Sequence, residues 1–102
     1  SCVIDAHAVP VLPGAWEAAD ACLYTAAGQR NRNHTGPFVR FENVPFPMEE
    51  ILFDPQTSGG LLLAAAPQDA AALEQELRAA GLPAAIVGEI LEKQTTEITV
   101  NY

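Results

Sequence analysis

An α+β domain, with helices packed on one sheet, is the fold this sequence predicts, and three observations predict it. Apolar runs of strand length recur along the chain, and alanine-rich stretches with helix start and stop signals separate them. Two strand-like runs close the chain, joined by a polar turn that suits an antiparallel pair. At 102 residues, 49 % of them hydrophobic, the chain is expected to be a single domain over 1–102 with one modest core; a chain of this size buries only about two-thirds of its unfolded surface. It opens Ser1-Cys2-Val3-Ile4 and its single Met is Met48, as expected of a piece of a longer protein.

The elements follow in order. Cys2 to Ala8 reads as a strand, because Val3 and Ile4 are β-branched. Pro13-Gly14 opens a helix over Ala15 to Ala26, rich in alanine and stopped by Gly28. From Gln29 to Pro47 the apolar period disappears among Arg, Asn, His, Pro and Gly, so a long loop is expected, of the kind that carries function. Only Phe38 to Phe41 alternates well enough there for a short strand. Met48 to Phe53 makes one helical turn or two. Leu61 to Ala66 is an apolar run of strand length. Pro67-Gln68-Asp69 starts a helix with Pro in its first turn, and Ala70 to Ala80 continues it until Gly81. Ala84 to Leu91 and Glu97 to Asn101 are the last two strands, turning at Lys93-Gln94. The predicted order is β-α-(β)-β-α-β-β.

Charge excludes several function classes. Five Lys and Arg against 13 Asp and Glu leave a net charge of -8, which repels nucleic-acid phosphates and anionic lipid, so neither nucleic acid nor membrane is an expected partner. No apolar run approaches the roughly 20 residues that span a bilayer. Cys2 and Cys22 are too few for a disulfide scaffold and sit in apolar settings, where Cys behaves as a small buried hydrophobe. His7 and His34 lack the Cys or carboxylate spacing of a metal site and are expected to be structural or solvated. No metal site is predicted.

One stretch carries the chemistry: "ILFDPQTSGGLLLAA", residues 51–65. Pro55 fixes its own φ and pushes Asp54 out of helix, the Thr57 and Ser58 hydroxyls are free to donate, and Gly59-Gly60 permit positive φ and close approach to the main chain. Such a turn can aim several N–H groups at one anion, or it can simply enter a strand without strain while Asp54 bonds its own backbone. It lacks the Gly-Lys-Ser/Thr ending of a Walker loop, and the residues that follow read as strand rather than helix. Charge placement adds a second signal. No acidic residue lies between Asp20 and Glu42, while Arg30, Arg32 and Arg40 supply three of the five positive charges, with Asn31 and Asn33 beside them. Arginine's planar fork suits phosphate oxygens.

The segment closely resembles the Asp-Pro-Gln-Thr-Ser-Gly-Gly-Leu-Leu stretch of selenophosphate synthetases (selenide, water dikinases), and the resemblance extends over nearly the whole chain. "VPVLPGAWEAA" resembles their strand-to-helix passage, Arg30-Asn31-Arg32 their Arg-Asn loop, and "AAIVGEI" their penultimate strand. The Asp54–Gly60 match is the specific one. The resemblance implies the C-terminal domain of that family, within the superfamily of aminoimidazole ribonucleotide synthetase: a three-layer α+β unit, partly ferredoxin-like. It implies a cytoplasmic, homodimeric enzyme using ATP, Mg and selenide, with the nucleophile and the magnesium-binding aspartates in an N-terminal domain of the same chain. No catalytic residue is then expected within 1–102, and Cys2, in a predicted strand, is not the family's nucleophile. The phosphate-facing candidates are Arg30, Asn31, Thr57, Ser58, Gly59 and Gly60, with Asp54, Pro55 and Gln56 ordering the turn. The alternatives are a hydrogenase-maturation or purine-biosynthesis relative, or a non-catalytic module that binds small anions or dimerises.

Overall fold

β1 (Cys2–Asp5) forms where Val3 and Ile4 predict it, and is an inner strand of a four-stranded mixed sheet in the computed structural model, which describes residues 1–102. The other strands are β2 (Val39–Glu42), β3 (Gly88–Ile90) and β4 (Ile98–Asn101), in the spatial order β2-β4-β1-β3. β4 runs parallel to both neighbours, pairing Ile98 with Cys2 and with Val39, whereas β3 runs antiparallel to β1 with Cys2 opposite Ile90. Four helices complete the α+β fold: α1 (Ala15–Asp20), α2 (Ala26–Thr35), α3 (Phe46–Phe53) and α4 (Pro67–Ala79).

Register explains where the core sits. Ile4, Val100 and Phe41 lie side by side across β1, β4 and β2. Side chains alternate along strands, so Cys2, Ile98 and Val39 share that face and Val3, Thr99 and Arg40 take the other. The apolar face meets α3. Met48 is buried there with Val100 and Ala6, and Ile51, Leu52, Val44 and Trp16 of α1 close around them. No helix of the structure is long and apolar enough to cross a membrane.

Several elements differ from the sequence expectation. The two C-terminal strands do not pair with each other; they flank β1 on opposite sides. β4 carries Ile98 and Val100 and takes an inner slot, whereas β3 carries Gly88 and Glu89 and suits an edge. Gly88 is required by close approach, since a Cβ there would collide with the carbonyl oxygen of Val3. Residues 61–66 form no strand. No backbone hydrogen bond involves residues 61–65, and Leu61, Leu62 and Leu63 are 87 %, 79 % and 56 % exposed, because an apolar run becomes a strand only beside a partner edge.

The first predicted helix stops at Asp20 rather than Ala26. Cys22 takes φ 60°, and the bonds from Leu23 N–H to Ala18 O and from Cys22 N–H to Ala19 O make the paired closure usually given to glycine. Cys22 is therefore exposed instead of buried, while Cys2 is half-buried, and both are free thiols. The largest correction is α2, which occupies the first part of the expected loop.

Candidate functional site

α2 forms although its sequence, AAGQRNRNHT, has no apolar stripe. Thr25 supplies the start, its Oγ1 accepting the N–H of Gly28 at 3.0 Å. Gly28, read from sequence as a helix stop, is a buried first-turn residue that faces the Phe53 carbonyl and the Asp54 backbone. The period of α2 is polar. Thr25, Gln29 and Arg32 recur at i, i+4 and i+7 and share the side that meets α3. They meet a matching stripe on α3, where Phe46, Glu49, Glu50 and Phe53 follow the same spacing.

One guanidinium joins the two stripes. Arg32 Nη1 lies 2.7 Å from Glu49 Oε2, and Nη2 lies 2.6 Å from Glu50 Oε1. Its central carbon stands 4.8 Å from the Phe53 ring centroid and 5.3 Å from that of Phe46, so the flat cation is flanked by aromatic faces as well as carboxylates. Glu50 is only 2 % exposed, and Gln29 Nε2 donates to its second oxygen. Burial works against the charge on Arg32, but the hydrogen bonds and charges of Glu49 and Glu50 outweigh it and hold the Arg32 pKa above the ordinary arginine value.

The candidate turn grows directly from this pairing. Asn31 Nδ2 donates to the carbonyl of Phe53, the last residue of α3, at 3.0 Å. The next residue is Asp54, whose Oδ1 accepts the Thr25 hydroxyl at 3.3 Å. Asp54 thus ties the start of the turn to the start of α2. Beyond it residues 55–60 are exposed, and none of the N–H groups of 56–60 donates within the chain. Gly59 packs so closely on Gln56 that a Cβ would collide with that side chain. Gly60 is different: its φ is not in the left-handed region, and a Cβ would meet nothing within 4 Å. Neither glycine uses the positive φ for which the sequence made room.

The three arginines of the basic island separate in space. Arg32 turns inward. Arg40 pairs at 3.0 Å with Glu42 on the sheet surface, where the Arg40 side chain is largely exposed and that of Glu42 half-buried. Arg30 lies on the side of α2 away from α3, exposed and without an ion pair. Asn33 and His34 are exposed on the same helix. His7 is exposed and stacks on Tyr102 with ring centroids 3.7 Å apart. No three His, Cys, Asp or Glu side chains converge as a metal-binding group. The Arg32–Glu49–Glu50 cluster was missed from sequence. Its signal was the polar i, i+4, i+7 stripe behind a Thr cap.

Comparison with known proteins adds a second line. Residues 2–101 match the family described as AIR synthase related protein, C-terminal domain. The chain is 54 % identical over 100 residues to the selenide, water dikinase of Agathobacter rectalis, covering 97 % of this chain and 29 % of that protein. It is 44 % identical over 99 residues to the selenide, water dikinase of Desulfitobacterium hafniense strain Y51, covering 94 % of this chain and 28 % of the relative. For the protein of that name from Treponema denticola, identity is 38 % over 104 residues, covering 96 % and 29 %. The chain spans under a third of the length of each.

Proposed function

The chain belongs to the family of AIR synthase related protein C-terminal domains, and from that premise we propose that it is the C-terminal domain of a selenide, water dikinase, which makes selenophosphate from ATP, selenide and water and releases AMP and phosphate. The near end-to-end alignment with proteins of that name supports the reading of the whole enzyme. For the domain's own part, one observation carries the reading: a turn of five consecutive N–H groups, 56–60, unused by the chain and open to solvent. Donors left free on an exposed turn can close on an anion at little reorganisation cost.

Phosphoryl transfer is largely positioning and charge neutralisation. In this reading Thr57 and Ser58 offer hydroxyls, Gly59 and Gly60 offer N–H groups, and Arg30 adds a cation from the outer side of α2, with Asn31 beside it. Asp54, Pro55 and Gln56 shape the turn, since a bare carboxylate facing phosphate would repel it. On the likeness to the selenide, water dikinases, ATP and Mg are assigned to an N-terminal domain of the same enzyme, read as cytoplasmic and homodimeric. When bound, the magnesium nucleotide supplies the activated phosphoryl group. The residues of this chain orient it and neutralise charge.

Gly60 supplies the test, because neither its φ nor its surroundings within the chain require glycine. In the full-length enzyme, Gly60→Val is expected to keep its melting temperature within a few degrees while losing selenophosphate formation by about ten-fold or more. Gly36→Ala, also in open space with φ -50°, serves as the control and should leave both unchanged. A Gly60→Val enzyme with full turnover would remove the turn from the site.

A further inference from the structure

Arg32 meets residues at both ends of α3. Its guanidinium touches Phe46, the first residue of the helix, and Phe53, the last, and between them it binds Glu49 and Glu50. The residue after Phe53 begins the 54–60 turn. We propose that Arg32 is the positioning residue of that turn: by fixing α3 against α2 along its whole length, it sets where the turn's free N–H groups point. The inference rests on the reading of 54–60 as the phosphate-facing segment.

An exposed turn with no internal backbone bonds has only its ends to hold it, and here the incoming end is held by α2 through the Phe53 carbonyl and the Asp54 carboxylate. Those two bonds are short-range and exposed or half-buried. They keep their register only while the helices do. That register is set by the buried Glu50 carboxylate, whose charge is partnered by Arg32. Lysine would keep the charge yet lose the planar fork and the fit between two rings, so it would relax the register without leaving Glu50 unpaired. Misplacing donors by even an ångström is costly to a phosphoryl transition state.

The decisive comparison uses Arg32→Lys in the full-length enzyme labelled with 15N-glycine. The Gly59 and Gly60 amide signals are expected to shift and broaden while those of Gly14 and Gly81, which lie outside the α2–α3 pair, stay in place. For selenophosphate formation, kcat should fall about ten-fold and KM for ATP should change less than about three-fold, as expected when orientation rather than binding is lost. Glu49→Gln, which weakens one arm only, should give a smaller effect in the same direction. Unmoved Gly59 and Gly60 signals in Arg32→Lys would overturn the inference. Moved signals with unchanged turnover would support positioning by Arg32 and would instead overturn the assignment of the turn to the phosphate.

Discussion

Arg30, Arg32 and Arg40 crowd one short stretch of sequence, yet the fold gives each a different task. Arg32 is committed to Glu49 and Glu50, Arg40 pairs with Glu42 in solvent, and Arg30 keeps its charge unpartnered. Removing a phosphate-facing arginine deletes a charge-assisted bond of about 1.5–3 kcal/mol, so Arg30→Ala in the full-length enzyme should lower ATP-dependent turnover roughly ten- to a hundred-fold. Arg40→Ala removes an exposed pair worth about 1 kcal/mol or less and should leave turnover nearly intact. Both are measured at one ionic strength, with the melting temperature as a check on folding. Equal losses at the two positions would mean that only the general field matters, and an unchanged Arg30→Ala enzyme would take that residue out of the site.

At the scale of elements, α2 and α3 are joined by polar contacts that an apolar helix pair would replace with leucines. Arg32→Ala leaves the Glu50 carboxylate buried without its cation, a change that typically costs about 3–5 kcal/mol. Combining it with Glu50→Leu removes the stranded charge, so the double variant should recover much of that loss in a denaturant titration. A double variant no more stable than the single one would show that the ion pair is not what fastens the helices. The extended 61–66 segment gives the opposite expectation. Leu62 is 79 % exposed, and Leu62→Ser in the isolated chain should change stability by less than about 0.5 kcal/mol. A loss of about 2 kcal/mol or more would show that the segment packs after all.

The whole molecule divides its labour unevenly. One sheet face and α3 hold the core, whereas α4 has no buried residue and 55–69 lies at the surface. The radius of gyration, 14.3 Å, exceeds the roughly 13 Å typical of a compact chain of this length. The isolated 102-residue chain should show a cooperative thermal melt by circular dichroism, since its core is continuous from Ala6 to Val100. It should hydrolyse no ATP, on the proposal that the magnesium nucleotide is held by the N-terminal domain. ATP turnover by that chain above a mock preparation would contradict the assignment of chemistry to the N-terminal domain.

What the sequence determined by itself was local. The β-branched pair of β1, the start of α1 after Gly14, the Pro67 start and Gly81 stop of α4, and the position of the Asp54–Gly60 turn all follow from neighbours along the chain, through steric preference and capping. The family was legible too, in the motif that spans the turn. Tertiary structure decided the partners. α2 forms because its polar stripe finds two carboxylates on α3, and no apolar period could announce that. β4 rather than β3 takes the inner slot between β1 and β2, and Leu61–Ala66 stays outside the sheet, because a strand is defined by the edge it meets. Three similar arginines became a clamp, a surface pair and a free charge for the same reason. A side chain's propensity is written in its neighbours, but its electrostatic role depends on burial and on which opposite charge lies within about 4 Å, and both are fixed only when distant segments pack.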